Sequence, residues 1–227
     1  MKRLWAVSIV TYFVVIAVIT VTRSSKCTAA TNTPAMNVRL DSVNEMEVIE
    51  GTARMETYRG RRAVHLSQLP NHTEDDSPLA ILGGSDFKDG TIEVEVAGSP
   101  KPGTDPGNRG FIGLAFRVRD HGSKAEYFYL RPTNGRSDDQ LRRNHSVQYE
   151  SLPDFPWYRL RKENPGVYES YVDLQPGVWT KMKVVVSGAK AQIYVNDAEQ
   201  PCLIVNDLKL GESRGQIALW AYGGTDG

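Results

Sequence analysis

The stretch GFIGLAFRVRDHGSKAEYFYLR, residues 110–131, reads as a β-hairpin. Ile112, Leu114, Phe116 and Val118 alternate with Gly113, Ala115, Arg117 and Arg119, the period of two that sends successive side chains to opposite faces of a strand. His121-Gly122-Ser123 supplies the turn. In the return strand Phe128 and Leu130 share one face, while Tyr127, Tyr129 and Arg131 share the other. One face is apolar enough to seal a core, and the opposite face carries arginine and tyrosine.

The same period recurs on both sides of this hairpin. Upstream, Met46–Ile49 and Ala53–Tyr58 read as strands, and Arg59-Gly60-Arg61 turns the second onto a return strand at Ala63–Leu66. Ile92, Val94 and Val96 alternate with Glu93 and Glu95. Downstream, Met182, Val184 and Val186 are expected to point inward, as are Ala191, Ile193 and Val195 after the turn at Ser187-Gly188-Ala189. Leu203–Val205 is a further short strand, and in 215–222 Ile217 and Leu219 oppose Trp220 and Tyr222. After residue 37 no stretch keeps a helical period over three turns, and the strands are punctuated by Gly, Pro, Asn and Asp. The expected fold is therefore all-β, a two-sheet jelly-roll sandwich. Residues 132–165 have no lasting period and read as a long loop with a short strand at Ser146–Tyr149; another short strand is expected over Gly166–Val172.

The N-terminus reads as an address. Lys2 and Arg3 precede an apolar run from Leu4 to Val21 broken only by Ser8, Thr11 and Thr20. That length lies between a secretory signal and a membrane span, and the flanking charge fits export. The expected organisation is a signal peptide or hydrophobic helical membrane anchor over 1–22, a linker over 23–45 rich in Ser, Thr, Ala and Pro, and a β-sandwich over 46–227. The expected location is exported: periplasmic, cell-surface or anchored to the membrane through this segment. Cys27 lies beside the apolar run, and Cys202, after Pro201, reads as a buried thiol. Lys plus Arg and Asp plus Glu both number 27 in the 227 residues, so the basic excess expected of a nucleic-acid binder is missing and no nucleic-acid partner is expected.

Several segments resemble a known superfamily. Asp86-Phe87-Lys88-Asp89-Gly90-Thr91-Ile92-Glu93-Val94 and Gly110–Val118 resemble early strands of the concanavalin A-like lectin/glucanase superfamily. Trp179-Thr180-Lys181-Met182-Lys183 with Ile193-Tyr194-Val195-Asn196 resembles its laminin-G-like or pentraxin-like form, and the whole is similar to 3-keto-disaccharide hydrolase-like domains. The resemblance spans about residues 50–227. It implies a concanavalin A-like fold and a glycan or polysaccharide partner. Two features depart from it. Relatives continue into an aromatic-rich closing strand that these residues do not include, so the sandwich is expected to lack its last strand. The Glu-x-Asp-x-x-Glu motif of the retaining glucanases is absent, so their mechanism does not transfer.

Two constellations are candidates for a site. On the hairpin's polar face, Arg117, Tyr127, Tyr129 and Arg131, joined by Trp220 and by Tyr194 and Tyr222 if they share the sheet, form an expected carbohydrate groove in which rings stack on sugars and arginines bind hydroxyls. The same residues would equally cover the sheet beneath the long loop, with Arg stems lying over the rings. In the long segment, Asn144, Tyr149, Trp157 and Arg159 are further ligand-binding candidates. Asp139, Glu150 and Glu169, with His145 as an alternative base, are the carboxylates a glycoside hydrolase would draw on. The competing expectation is an Arg–carboxylate network that pins the loop. Asp138, Asp139 and Asn144 offer calcium-compatible oxygens, so a structural calcium is the one cofactor considered; the four histidines have no zinc spacing. These readings favour a lectin-like carbohydrate-binding domain, with a glycoside hydrolase and a structural adhesion module as alternatives.

Overall fold

The computed structural model describes Val38, residues 40–69 and residues 77–227. The apolar run at 4–21, Cys27 and the bulk of the linker lie outside the described residues. Among the described residues no helix is long and apolar enough to cross a membrane.

Among the described residues fifteen strands appear in chain order: β1 (Met46–Ile49), β2 (Gly51–Tyr58), β3 (Arg61–Gln68), β4 (Leu79–Leu82), β5 (Gly90–Val96), β6 (Ser99–Pro100), β7 (Ile112–Arg119), β8 (Lys124–Leu130), β9 (Val147–Leu152), β10 (Glu169–Ser170), β11 (Thr180–Ser187), β12 (Lys190–Val195), β13 (Leu203–Val205), β14 (Gln216–Ala221) and β15 (Thr225–Asp226). Two short helices, α1 (Gln140–Arg143) and α2 (Trp157–Glu163), stand before and after β9. A seven-stranded sheet runs β1-β4-β14-β7-β8-β9-β10, and a four-stranded sheet runs β13-β12-β11-β5. The hairpin β2-β3 and the pair β15-β6 form two smaller sheets. This is the expected all-β sandwich.

Alternation builds the core. From the large sheet, Leu114, Phe116, Phe128, Leu130, Val147 and Tyr149 meet Ile92, Met182, Val184, Val186, Ile193 and Val195 of the small sheet. Phe116 and Phe128 lie stacked with centroids 6.0 Å apart. Cys202 is a half-buried free thiol whose Sγ–H donates to Ile193 O, and burial pushes its pKa up to about 11. The opposite face of the large sheet carries a second cluster, including Leu79, Ile81, Ala115, Tyr127, Tyr129 and Trp220.

The β7–β8 hairpin departs from strict alternation at one place. Pairing is regular from Ile112↔Leu130 to Phe116↔Glu126, then slips before Arg119↔Lys124. Arg117 sits in this bulge with φ of 53°. A bulge adds one residue to one strand and so reverses the parity beyond it. Val118 consequently joins the cluster on the outer face instead of the sandwich core. Arg117 does not share the face of Tyr127 and Tyr129: it is fully buried, and its guanidinium donates to Lys88 O, Gly188 O and Gly211 O.

Gly113 is required where the two strands of the hairpin lie close. A Cβ there would sit 2.6 Å from Tyr129 Cα and against Phe128 O. Gly113→Ala is expected to destabilise the domain by about 1–3 kcal/mol through overpacking, read as a lower urea midpoint with an unchanged slope. An unchanged midpoint would show that the strands separate freely at this position.

The segment 132–171 contains more structure than its lack of period suggests. A 3-10 turn at Pro132–Asn134, α1, β9 and α2 lie within it, and the strand expected over Gly166–Val172 shrinks to β10. Tyr194 lies on β12 in the small sheet, so it does not share a face with Trp220 and Tyr222.

Candidate functional site

A cleft of about 1210 Å³ lies on the outer face of the seven-stranded sheet. Strand parity supplies its base. Tyr127 and Tyr129 project from β8, Glu150 from β9, and Trp220 from β14. Their neighbours Phe128, Tyr149 and Leu219 turn to the sandwich core. The rings form a continuous run: Trp220 lies 6.0 Å from Tyr127 and 4.8 Å from Tyr129, Phe111 lies 6.1 Å from Tyr129, and Tyr222 lies 4.9 Å from Phe111. Burial raises the pKa of both Tyr127 and Tyr129, with Glu150 adding to it, so both phenols stay neutral.

The segment after β8 makes one wall. Asp139 is the N-cap of α1, its Oδ1 accepting from Leu141 N at 2.9 Å and Arg142 N at 3.2 Å. This cap directs Leu141 and Arg142 to the cleft, which Asp139 and His145 also line. The amide of Trp157, first residue of α2, donates to Glu150 Oε2 at 2.9 Å. That bond ties the helix to β9 and brings Trp157, Tyr158 and Arg161 to the rim. Residues 105–111, with Asp105, Arg109 and Phe111, line the cleft as well.

Arg131 is the hub. It is 4 % exposed, donates to His145 O at 3.2 Å and to the Tyr129 hydroxyl at 3.3 Å, and lies over the rings of Phe111, Tyr129 and Trp157. Behind it, Glu169 accepts from Arg161 Nη2 at 2.6 Å and Nε at 3.0 Å, lies 3.1 Å from His145 Nε2 and 3.8 Å from Arg131 Nη1. Burial, the largest influence, lowers the His145 pKa against the pull of Glu169, and Arg161 and Arg131 lower it further. The buried Glu150 carboxyl is pushed up to about 7 by desolvation, opposed by the Trp157 amide and Arg131.

The structure thus gathers Tyr127, Tyr129, Arg131, Asp139, His145, Glu150, Trp157 and Trp220 around one cleft. Five other candidates lie elsewhere. Arg117 is locked between loops at the far side of the sheet. Tyr149 is in the sandwich core, its hydroxyl donating to Glu126 Oε2 at 2.6 Å, because β9 alternation gives the cleft to Glu150 instead. Asn144 is exposed at the end of α1, its Oδ1 accepting from Gln140 Nε2. Arg159 lies on the outer side of α2, bonded to Glu163 and Asp154 O. Glu169 does not line the cleft; its oxygens are committed to Arg161 and His145, so the Arg–carboxylate network expected of this segment is real at this position. Of the oxygens considered for calcium, Asp139 Oδ1 caps α1 and Asn144 Oδ1 accepts from Gln140. Among the described residues no three His, Cys, Asp or Glu side chains gather as a metal site.

Tyr222 joins Trp220 at the cleft as expected, while Arg109, Phe111 and Arg142 line it without having been expected there. Phe111 shares the parity of Gly113, a period the sequence carries. Arg109 and Arg142 reach the cleft through loop and helix-cap geometry that no period announces.

No protein-family model matches the sequence, and comparison with curated proteins gives no match. Solved structures do resemble it. The carbohydrate binding module CBM66 from Bacillus subtilis superposes with a TM-score of 0.54 at 14 % identity, over 80 % of this chain and 89 % of that one. A Bacillus subtilis protein of unknown function with a galectin-like fold gives 0.50 at 15 % identity, over 82 % and 88 % of the two chains. The fold is that of the concanavalin A-like jelly rolls.

Proposed function

We propose that this domain binds a glycan in the cleft on the outer face of its seven-stranded sheet. The observation that carries the reading is the set of accessible rings at the cleft: exposed Trp157 and half-buried Phe111 and Tyr222, with Arg131 lying over both Phe111 and Trp157, above a floor of buried Tyr127, Tyr129 and Trp220. Aromatic faces stack on the apolar faces of sugar rings, and guanidinium and tyrosyl groups bond hydroxyls. The likeness to a carbohydrate binding module supports this at the level of fold, on which many activities are carried. The N-terminal apolar run supports placing the domain outside the cytoplasm, where extended glycans are met.

Trp157 is the test. Its ring is 39 % exposed, held between Arg131 and Arg161, and its side chain contributes little to the core. Trp157→Ala is expected to weaken glycan binding by roughly 10- to 100-fold, the loss of an aromatic anchor, while the fold survives. Glycan-array screening followed by titration calorimetry measures this. Wild-type protein that binds no glycan, or a variant that binds equally well, would sink the proposal.

Hydrolysis is a second reading, favoured by one observation. Glu150 is a buried carboxyl with pKa near 7 that lines the cleft, the condition of a general acid at neutral pH. Against it, Glu169 is held by Arg161 and His145, and Asp139 Oδ1 by two amides, so the second carboxylate of a glycosidase pair is otherwise engaged. Release of reducing sugar that disappears in Glu150→Gln would establish the enzyme reading; binding without turnover would dismiss it.

A further inference from the structure

Four arginines line the cleft, and they come from four separate elements. Arg109 lies in the loop before β7, Arg131 follows β8, Arg142 is on α1 and Arg161 on α2. Guanidinium groups brought together in a partly desolvated site repel unless something neutralises them. The strain registers at Arg109, whose pKa is lowered by burial first and then by Arg142 and Arg131, with Asp105 opposing.

Two of the four share one carboxylate within the protein. Arg161 forms a two-pronged pair with Glu169, and Arg131 lies 3.8 Å from the same carboxylate. Arg109 and Arg142 do not share in it. Among the described residues neither has a carboxylate at ion-pair distance. Arg109 donates to the carbonyls of Pro106 at 2.5 Å and Asn108 at 3.3 Å. Arg142 donates to Asn134 Oδ1 at 3.0 Å and Thr133 Oγ1 at 3.3 Å. These neutral acceptors orient both forks, and among the described residues no carboxylate pairs with either.

The acids that line the cleft do not cancel them. Asp139 Oδ1 is taken up by two amides of α1. Glu150 is bound to the Trp157 amide and is about half neutral near pH 7. Asp105 accepts from Gly107 N, and Glu50 and Asp105 each hold further contacts.

We propose that the cleft selects saccharides bearing an anionic substituent, a carboxylate, sulfate or phosphate, which Arg109 and Arg142 take up together while the rings hold the sugar. Planar guanidinium forks match the geometry of all three oxyanions. This inference rests on the glycan-binding reading and names the class of glycan.

Matched pairs of probes differing only in charge test it by titration calorimetry on the full chain. They are tetragalacturonate against its methyl ester, dextran sulfate against dextran, and a mannose-6-phosphate-terminated oligosaccharide against its dephosphorylated form. At least one charged member is expected to bind about tenfold or more tightly than its neutral partner, with affinity falling as salt rises. Which pair shows the preference identifies the anion. Arg109→Gln, which gives up only carbonyl contacts in its own loop, is expected to cut that preference several-fold, and Arg142→Gln likewise. Arg159→Gln, outside the cleft, leaves it unchanged. Equal binding of charged and neutral partners overturns this inference and leaves the glycan reading standing. A preference indifferent to both arginine variants overturns the assignment to Arg109 and Arg142. Failure of every probe, together with failure of the array, removes the glycan reading and this inference with it.

Discussion

Arg117→Met lowers the stability of the domain by about 3–5 kcal/mol, seen as a large drop in the urea midpoint. The guanidinium is fully buried. Nε and Nη2 donate to Lys88 O at 3.0 and 2.8 Å, Nη2 to Gly188 O at 2.7 Å, and Nη1 to Gly211 O. Asp89, 3.3 Å away, also accepts from Gly188 N. One side chain thus joins the loop before β5, the β11–β12 turn and the loop before β14. Methionine keeps much of the volume but orphans three carbonyls, and a buried acceptor without a donor costs more than the bond itself contributes. Burial lowers the arginine's pKa, with Asp89 opposing, yet only the planar guanidinium spreads its donors over three nitrogens to meet carbonyls from three separate loops. Arg117→Lys is expected to recover only part of the loss, since an ammonium lacks the fork. A midpoint shift worth less than about 1 kcal/mol in the methionine variant would show that water replaces the guanidinium and that the clamp is dispensable.

Glu150→Gln produces the second large effect, and its size depends on pH. The carboxyl titrates near 7 in the fold against an ordinary 4.5. Between those values the folded protein keeps a proton that the unfolded chain gives up. The stability this represents is present in full below pH 4.5 and is lost as pH rises through 7. A shift of this size corresponds to about 3 kcal/mol. Glutamine is neutral throughout and retains an oxygen for the Trp157 amide. The stability difference between variant and wild type therefore grows in the variant's favour by about 3 kcal/mol from pH 4 to pH 8. His145, whose pKa is lowered, works in the other direction: its contribution is lost as pH falls below its ordinary 6.5. Glu126, raised by burial, works in the same direction as Glu150. Both are common to the two proteins and drop out of the difference. Parallel stability profiles across this range would mean that water reaches Glu150 and that its carboxyl is ordinary.

These two residues also mark where the linear reading succeeds and where it stops. Alternation alone assigned Phe128 and Leu130 to the core and Tyr127, Tyr129 and Trp220 to the other face, because side-chain direction in a strand has a period of two and needs only local residues. The β2–β3 and β7–β8 turns, the inward faces of β11 and β12, and the two-sheet class follow from the same rule. Arg117 was misplaced because a bulge resets the period, and nothing in Phe116-Arg117-Val118 announces one. Only the three carbonyls that surround its guanidinium, brought together from positions 88, 188 and 211, account for an arginine at positive φ. Glu150 and Tyr149 are adjacent in the chain and equally polar in outline. The pairing of β9 against β8 sends one to the cleft and the other to the core, and pairing is a long-range property. Glu169 illustrates the same limit, since its ion pairs depend on α2 returning over β10. Sequence by itself determined the β class, the hairpins and which face of the central strands carried rings. The cleft, its arginines and the committed carboxylates were decided by tertiary structure, because charge compensation and desolvation are set by groups distant in the chain.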